Sequence, residues 1–336
     1  MTRNLEPGLG RGEIVSGSES LQTQALDDDP GLLTPEAAAL DLEHDEAAHL
    51  DASLAEVGPP RSLAQDAWRR FRRNKLALVG LVIVVFLILV ALFGPLFVGS
   101  PYKLYDVTKE APTNQHPFGT DSLGHDVLAQ VVYGIRLSLF IGFVATAAET
   151  VLGILVGASA GWFGGAADSV LMRFVDILLG VPYLVLALAL VTAIGRGVSA
   201  VVITLAVTAW LQTARTVRAG FLEKRDLEYV EAARAIGVPG RRIVFRHIMP
   251  NVFQPVVVLA AVGIGSAILA EAALSFLGVG VPPPTPSLGQ MINQSQNYFT
   301  QAPHLLIFPG LAIIFTVLGF LLVGDGLRDA LDVKDT

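Results

Sequence analysis

The chain has 336 residues, of which 52% are hydrophobic and 16% charged, and it contains no cysteine. Charge this sparse excludes an ordinary soluble domain and points to a membrane, while the lack of cysteine excludes a disulfide framework, a thiolate metal site and thiol catalysis. The net charge of −7 misleads, because 13 of the 30 acidic residues lie in the first 60 positions against two arginines there, and the remainder is mildly basic.

Residues 1–60 are rich in Asp, Glu, Ser, Gly and Ala, with acidic clusters at Asp27, Asp28 and Asp29 and at Asp41, Glu43, Asp45 and Glu46. Such a segment buries too little apolar surface to offset its ordering entropy, so a mostly disordered tail is expected, with room for a short helix between Pro35 and Leu54. The start lacks an apolar core behind basic residues, the pattern of a cleavable signal peptide. Residues 61–75 then turn basic, with Arg61, Arg69, Arg70, Arg72, Arg73 and Lys75.

The run LALVGLVIVVFLILVALFGPLFV, residues 76–98, holds no charge and would reach roughly 34 Å as a helix, enough for a hydrocarbon core of about 30 Å. Further apolar runs fall near 138–160, 174–195, 198–217, 252–277 and 304–324, the third and fourth divided only by GRGVS. One such run is compatible with a buried core helix; six of them predict an all-α, polytopic membrane domain over residues 76–332. Lys and Arg crowd the segment before span one and the loop 218–250, where Arg218, Lys224, Arg225, Arg234, Arg241, Arg242 and Arg246 stand. Loop 99–133 has only Lys103 and Lys109, and residues 278–303 have no positive charge. This bias predicts that 99–133 and 278–303 face outward and that loop 218–250 and both termini are cytoplasmic.

Within that cytoplasmic loop, EAARAIGVPGRRIVFRHIMPN, residues 231–251, reads as helix, turn and second helix. Gly237 and Gly240 bracket Pro239, and Pro250 is expected to end the second helix. Asp226 is the expected N-cap of the first helix, whose Leu227, Val230, Ala233 and Ile236 give a partial apolar face for a partner groove. The arginines and the Ala233–Gly237 spacing would also suit a DNA-binding helix-turn-helix, but between two spans nothing dimerises the element or adds a second half-site, so no nucleic-acid partner is expected.

Glu231, Ala232, Ala233 and Gly237, with Pro250 thirteen positions after the glycine, resemble the EAA motif of permease subunits of bacterial ABC importers. HPFGTDSLGHDVLAQVVYGIRLSL (116–139) and AEAALSFLGVGVPPPTPSLGQMI (270–292) are similar to segments of the second permease subunit of the dipeptide and oligopeptide permease family. With NKLALVGL at span one, the likeness runs through residues 65–332. It implies a MetI-like permease fold in a bacterial inner membrane, with the loop as a coupling helix seated in an ATPase cleft through Glu231, Ala232, Ala233, Gly237, His247 and Pro250. The implied partners are a homologous second permease, two cytoplasmic ABC ATPases holding ATP and Mg, and an extracytoplasmic substrate-binding protein; the chain itself is implied to bind no cofactor and to be no enzyme. Dipeptides or short oligopeptides are the implied cargo, with nickel and oligosaccharides as alternatives of the same branch. His125 departs from the arginine usual at its position, and the acidic tail is longer than such subunits normally carry.

Gly153, Gly157 and Gly161 form a small-residue ladder in span two, expected to let another helix approach closely. Glu149, Asp176 and Glu271 are acids at or near membrane depth, costly unless paired, hydrated or protonated, and so belong either to helix packing or to a translocation path. Arg173, three residues before Asp176, is its expected partner. His116, Asp121, His125 and Asp126 match no metal-site spacing and read as a folded external loop. The stiff VPPPTPSLGQM stretch after span five is expected to shape an outer vestibule where the binding protein docks. No GxSxG, HExxH or GxxxxGK[ST] occurs, so no catalytic constellation and no phosphate-cradling loop is present, and energy must come from a partner. The rival of another class is an ion-coupled secondary transporter, supported only by the intramembrane acids and lacking an evident inverted repeat.

Overall fold

In the computed structural model, residues 63–332 are described; the expected tail, residues 1–60, lies outside them. Helix α1, Leu63–Arg73, ends at Asn74, whose side-chain oxygen accepts from the backbone N–H of Leu76 and Ala77 and so starts α2, Lys75–Phe97. The Asn74 amide also donates to Asp329 Oδ2 at 3.0 Å, tying this junction to the far end of the described chain.

Helix α3, Val127–Phe163, is 37 residues long and replaces the shorter span expected at 138–160. Its start is fixed by Asp126, whose carboxylate accepts from Ala129 N–H at 2.9 Å, so the connecting loop runs over 98–126 and not to 133. Arg136 marks the edge of the apolar run, but a helix roughly 56 Å long continues well past a hydrocarbon core, and a charge there does not end it.

The expected third span, 174–195, is instead two helices, α4 (Gly165–Leu179) and α5 (Tyr183–Ile194), bent by 93°. Pro182 explains the break: it lacks an N–H and pushes the residue before it out of the helical region, so it sits as the N-cap of α5. Helix α6 covers Val198–Lys224 and α7 covers Glu228–Ala235. A short α8, Gly240–Ile243, passes through a π-helical turn, Val244–Ile248, into α9, Met249–Phe276. Helices α10, Leu288–Ser295, and α11, His304–Leu331, complete the described chain. Among the described residues there is no strand, only two isolated bridges. Five helices are long and apolar enough to cross a membrane, or six if the bent α4–α5 pair is one span.

The bundle is built on close glycine contacts between α3 and α6. A Cβ on Gly153, Gly157 or Gly161 would lie 2.6 Å from Thr213 Cβ, 2.3 Å from the Ala214 carbonyl oxygen or 2.4 Å from Phe221 Cβ, respectively. Residue numbers rise together along both helices, so they run parallel, which requires α4 and α5 to carry the chain back between them. One core joins α2, α3, α9, α10 and α11 through Leu87, Ile135, Ile268, Leu288 and Phe320. A second joins α3, α5, α6 and α9 through Ile141, Val191, Leu205 and Leu274. The outer surface exposes Val82, Phe86, Leu92, Ile177 and Ile314, a surface suited to lipid and not to water.

Candidate functional site

The loop between α6 and α9 is mostly helical. The first helical residue of α7 is Glu228, with Leu227 as its N-cap and no side-chain cap. Asp226, expected to cap, is drawn instead toward the Arg225 guanidinium at 3.4 Å. At the other end the N–H of Gly237 reaches the Arg234 carbonyl and the N–H of Val238 reaches the Ala233 carbonyl, both at 3.0 Å, a Schellman stop. That stop needs a left-handed residue, and Gly237 has φ +80°. No atom lies within 4 Å of the position its Cβ would take, so the glycine is needed for conformation and not for room within this chain.

The two faces of α7 have different fates. Val230 and Ala233 are buried with Val217 and Phe221 of α6, Ile243 of α8 and Val252 of α9. Glu231, Ala232, Ala235 and Ile236 face away, with Ile236 81% exposed. The apolar face read from the sequence is therefore divided: its middle is sealed against the chain's own helices and its ends, Leu227 and Ile236, are exposed. Trp162, near the end of α3, holds the loop from a third side. Arg234 lies over its ring, and a Cβ on Gly240 would come within 2.9 Å of it. Sequence reading missed Trp162, since only its place before the GG break at the helix end marks it.

His247 lies within the π turn, half-buried, its carbonyl accepting from the Asn251 amide at 2.8 Å. Pro250 does not stop the helix; it follows just after the π turn, inside a helical run that continues from Gly240 to Phe276. The π turn before it widens the helix where the proline ring would meet the carbonyl of residue 246.

The membrane-depth acids are placed separately from this loop. Asp176 pairs with Arg215 of α6 at 2.5 Å, not with Arg173, because α4 lies against α6 and turns that face toward it. A second, two-pronged pair joins Asp168 of α4 to Arg218 of α6, one prong being Nη2 to Oδ2 at 2.6 Å. Glu149 is buried where α3 meets Gly263 of α9, whose Cβ would lie 2.8 Å from Oε1. Its neighbour there, Thr146, has a buried hydroxyl without a hydrogen-bond partner among the described residues. Glu271, 0% exposed, accepts from three serine hydroxyls: Ser138 of α3 at 3.0 Å, Ser275 at 2.9 Å and Ser287 at 2.8 Å. Ser287 is thus an anchored, buried residue at the foot of the Pro-rich loop.

The 98–126 loop pairs its acids and imidazoles two by two. His116 Nδ1 meets Asp126 at 2.7 Å and His125 Nδ1 meets Asp121 at 2.8 Å, while both carboxylates also accept backbone N–H groups. Among the described residues no group of three or more His, Cys, Asp or Glu is arranged to hold a metal.

Residues 153–334, which include the whole α7–α8 loop, match the model of the binding-protein-dependent transport system inner membrane component. Residues 62–117 match the N-terminal TM domain of oligopeptide transport permease C. The chain is 40% identical over 272 residues to the dipeptide transport system permease protein DppC of Alkalihalophilus pseudofirmus, covering 80% of this chain and 90% of that one. It is 39% identical over 293 residues to the oligopeptide transport system permease protein OppC of Bacillus subtilis, covering 86% and 96%. Over 272 residues it is 41% identical to the glutathione transport system permease protein GsiD of Escherichia coli O6:K15:H31, covering 80% and 89%. In fold it is similar to a chain of the MetNI methionine ABC transporter in an inward-facing form, with a TM-score of 0.50 at 21% identity, covering 60% of this chain and 96% of that one.

Proposed function

From the premise that this chain belongs to the inner membrane components of binding-protein-dependent transport systems and is an ABC importer permease, we propose that it passes dipeptides or short oligopeptides and is driven through α7. Named relatives of dipeptide, oligopeptide and glutathione transport share one cargo chemistry, the short peptide, which favours it over nickel or an oligosaccharide. In this reading the chain lines half of a pathway completed by a homologous second permease. Cargo arrives from an extracytoplasmic binding protein, and two cytoplasmic ATPases hold the ATP and Mg; the chain itself carries no cofactor and no catalytic residue. The arginine-rich end with α1, α7 and α8 faces the cytoplasm, and loop 98–126 and the Pro-rich loop face outward.

The observation that carries the coupling role is the division of α7. Val230 and Ala233 lock one face to the ends of α6, α8 and α9, while Ala232, Ala235 and Ile236 leave the other face small and open. Small side chains admit close approach of a partner cleft, and Ile236 supplies an apolar anchor. A push on the outer face then moves three packed helices together, which is how a short lever transmits rigid-body motion. Glu271 and Asp176 fit packing better than a path: Glu271 is sealed by hydroxyls, and Asp176, with Asp168, fastens α4 to α6.

Ala232→Glu and Ile236→Glu test this, since both side chains point away from the bundle and leave its packing alone. Purified from membranes, either variant should lose ATPase copurification and peptide uptake while the spans still insert. Asn297→Glu, exposed at the opposite end, should keep both. Retention of ATPases at the wild-type level by both α7 variants would end the coupling assignment.

A further inference from the structure

Asp168 and Asp176 are matched by arginines of α6, and Glu271 by three serine hydroxyls. Glu149 is left over. It is only 6% exposed, yet among the described residues none donates a hydrogen bond to it and no cation pairs with it. It stands near the middle of α3, the depth at which an unmatched carboxylate is most costly. The surroundings are polar and make room for it. Gly263 of α9 leaves free the space beside Oε1, where a Cβ would come within 2.8 Å, and the buried hydroxyl of Thr146 next to it is unpartnered too. The phenol of Tyr183, itself beside Thr208 of α6, is within electrostatic reach of the carboxylate.

Tyr183 is the first residue of α5, directly after the break at which α4 and α5 bend by 93°, and its nearness to Glu149 puts that break at the same depth. Residues 179–183 are all exposed, so this chain does not cover the break. Irregular backbone at membrane depth persists only where other protein covers it or where it lines a water-filled cavity, and broken helices frame the cargo site in other transporters. A lipid tail satisfies neither the open break nor the unmatched anion beside it; a hydrated, cationic group satisfies both. A short peptide carries such a group, since its N-terminal ammonium offers three N–H donors to a carboxylate and the neighbouring hydroxyl oxygens.

We propose that Glu149, with Thr146 and Tyr183 beside it, is a cargo contact on the translocation pathway that receives the N-terminal ammonium group of the peptide midway across the membrane. This rests on the peptide-importer reading given above. A positive charge is costly at that depth, and a carboxylate waiting there without a partner of its own offsets the cost and lowers the barrier to passage. Glu149 is nearly enclosed in this structure, so the contact forms when α5 moves off α3, a movement that the break at Pro182 leaves one end of α5 free to make.

The test uses the full chain with its partner subunits and binding protein in proteoliposomes, and dialanine as cargo. Glu149→Gln keeps the shape of the side chain and removes its charge. It should lower the maximal uptake rate by about tenfold, the size of one lost charge-assisted hydrogen bond. The half-saturating concentration, set by the binding protein, and the thermal midpoint should stay as they are. Glu149→Cys, the single thiol of its chain, then separates pathway from packing. A small sulfonate-bearing methanethiosulfonate restores a negative charge there and should recover uptake, while its ammonium-bearing analogue should not; the cysteine-free chain treated alike controls for thiols on the partners. Wild-type uptake by Glu149→Gln, or the same response of Glu149→Cys to both reagents, overturns the contact. Failure of both variants to assemble with the ATPases assigns Glu149 to packing and overturns it as well. Absence of dialanine uptake in the wild-type complex would instead remove the peptide reading, and the contact with it.

Discussion

Arg234 of α7 lies over the indole of Trp162 at the end of α3, its guanidinium carbon 5.4 Å from the ring centroid. The same indole meets the backbone at Gly240, so one side chain of α3 clamps both arms of the loop, the helix before the turn and the helix after it. Truncating it removes packing and cation–π attraction on the order of 2 kcal/mol. Trp162→Ala should therefore keep ATPase copurification, because Ala232, Ala235 and Ile236 are untouched, yet cut peptide uptake severalfold; Trp162→Phe should restore much of it. Uptake and copurification measured in the same membranes separate docking from transmission. Full uptake by Trp162→Ala would mean that α7 drives the bundle through α6 and α9 alone.

Gly237 offers a conformational test of the same lever. With φ +80° and open space around its absent Cβ, substitution costs backbone strain without a clash inside this chain. A β-branched residue there should cost about 1 to 2 kcal/mol or more and unwind the Schellman stop, whereas asparagine adopts the left-handed region readily. Gly237→Val should lose ATPases and uptake while Gly237→Asn retains both. Equal loss in the two variants would show that the partner cleft, not the turn, demands glycine.

Hydropathy made the membrane architecture legible, and the spacing of Glu231, Ala232, Ala233, Gly237 and Pro250 marked the loop, because both signals are local along the chain. What escaped depends on how distant helices are rotated. Asp176 finds Arg215, 39 positions away, only because α4 breaks from α5 and lies on α6; three-residue spacing alone favoured Arg173. Ser287 belongs to the 278–303 stretch read as an outward-facing loop, yet the turn after α9 folds it back to Glu271. Pro250 read as a stop because the sequence does not show the π turn before it, through which the helix continues. Val230 and Ile236 shared one apolar stripe in the sequence, and only packing decided which of them is inside.

The three hydroxyls around Glu271 make a sharp pair of stability predictions. Removing the carboxylate strands Ser138, Ser275 and Ser287 in a fully buried pocket, and each unpaired donor costs about 1 to 3 kcal/mol. Glu271→Ala should lower the thermal midpoint of the detergent-solubilised complex markedly, Ser287→Ala should lower it less, and Glu271→Gln should fall between Glu271→Ala and wild type. If the Ala and Gln variants melt together with wild type while uptake collapses, Glu271 belongs to the pathway and not to packing.

The absence of cysteine from the whole sequence makes orientation directly measurable, since each introduced thiol is the single label in its chain. Ser100, in the loop after α2, and Asn297, after α10, are exposed at one end of the bundle; Arg241, on α8, is exposed at the other. The crowding of arginine and lysine at the α8 end predicts that this end stays inside. In intact cells, Ser100→Cys and Asn297→Cys should react with a membrane-impermeant maleimide, and Arg241→Cys should react only after permeabilisation. Uptake must survive in each variant, so that the labelled protein is the working one. Labelling of Arg241→Cys in intact cells, with Ser100→Cys and Asn297→Cys protected, would invert the topology and remove α7 from any cytoplasmic ATPase.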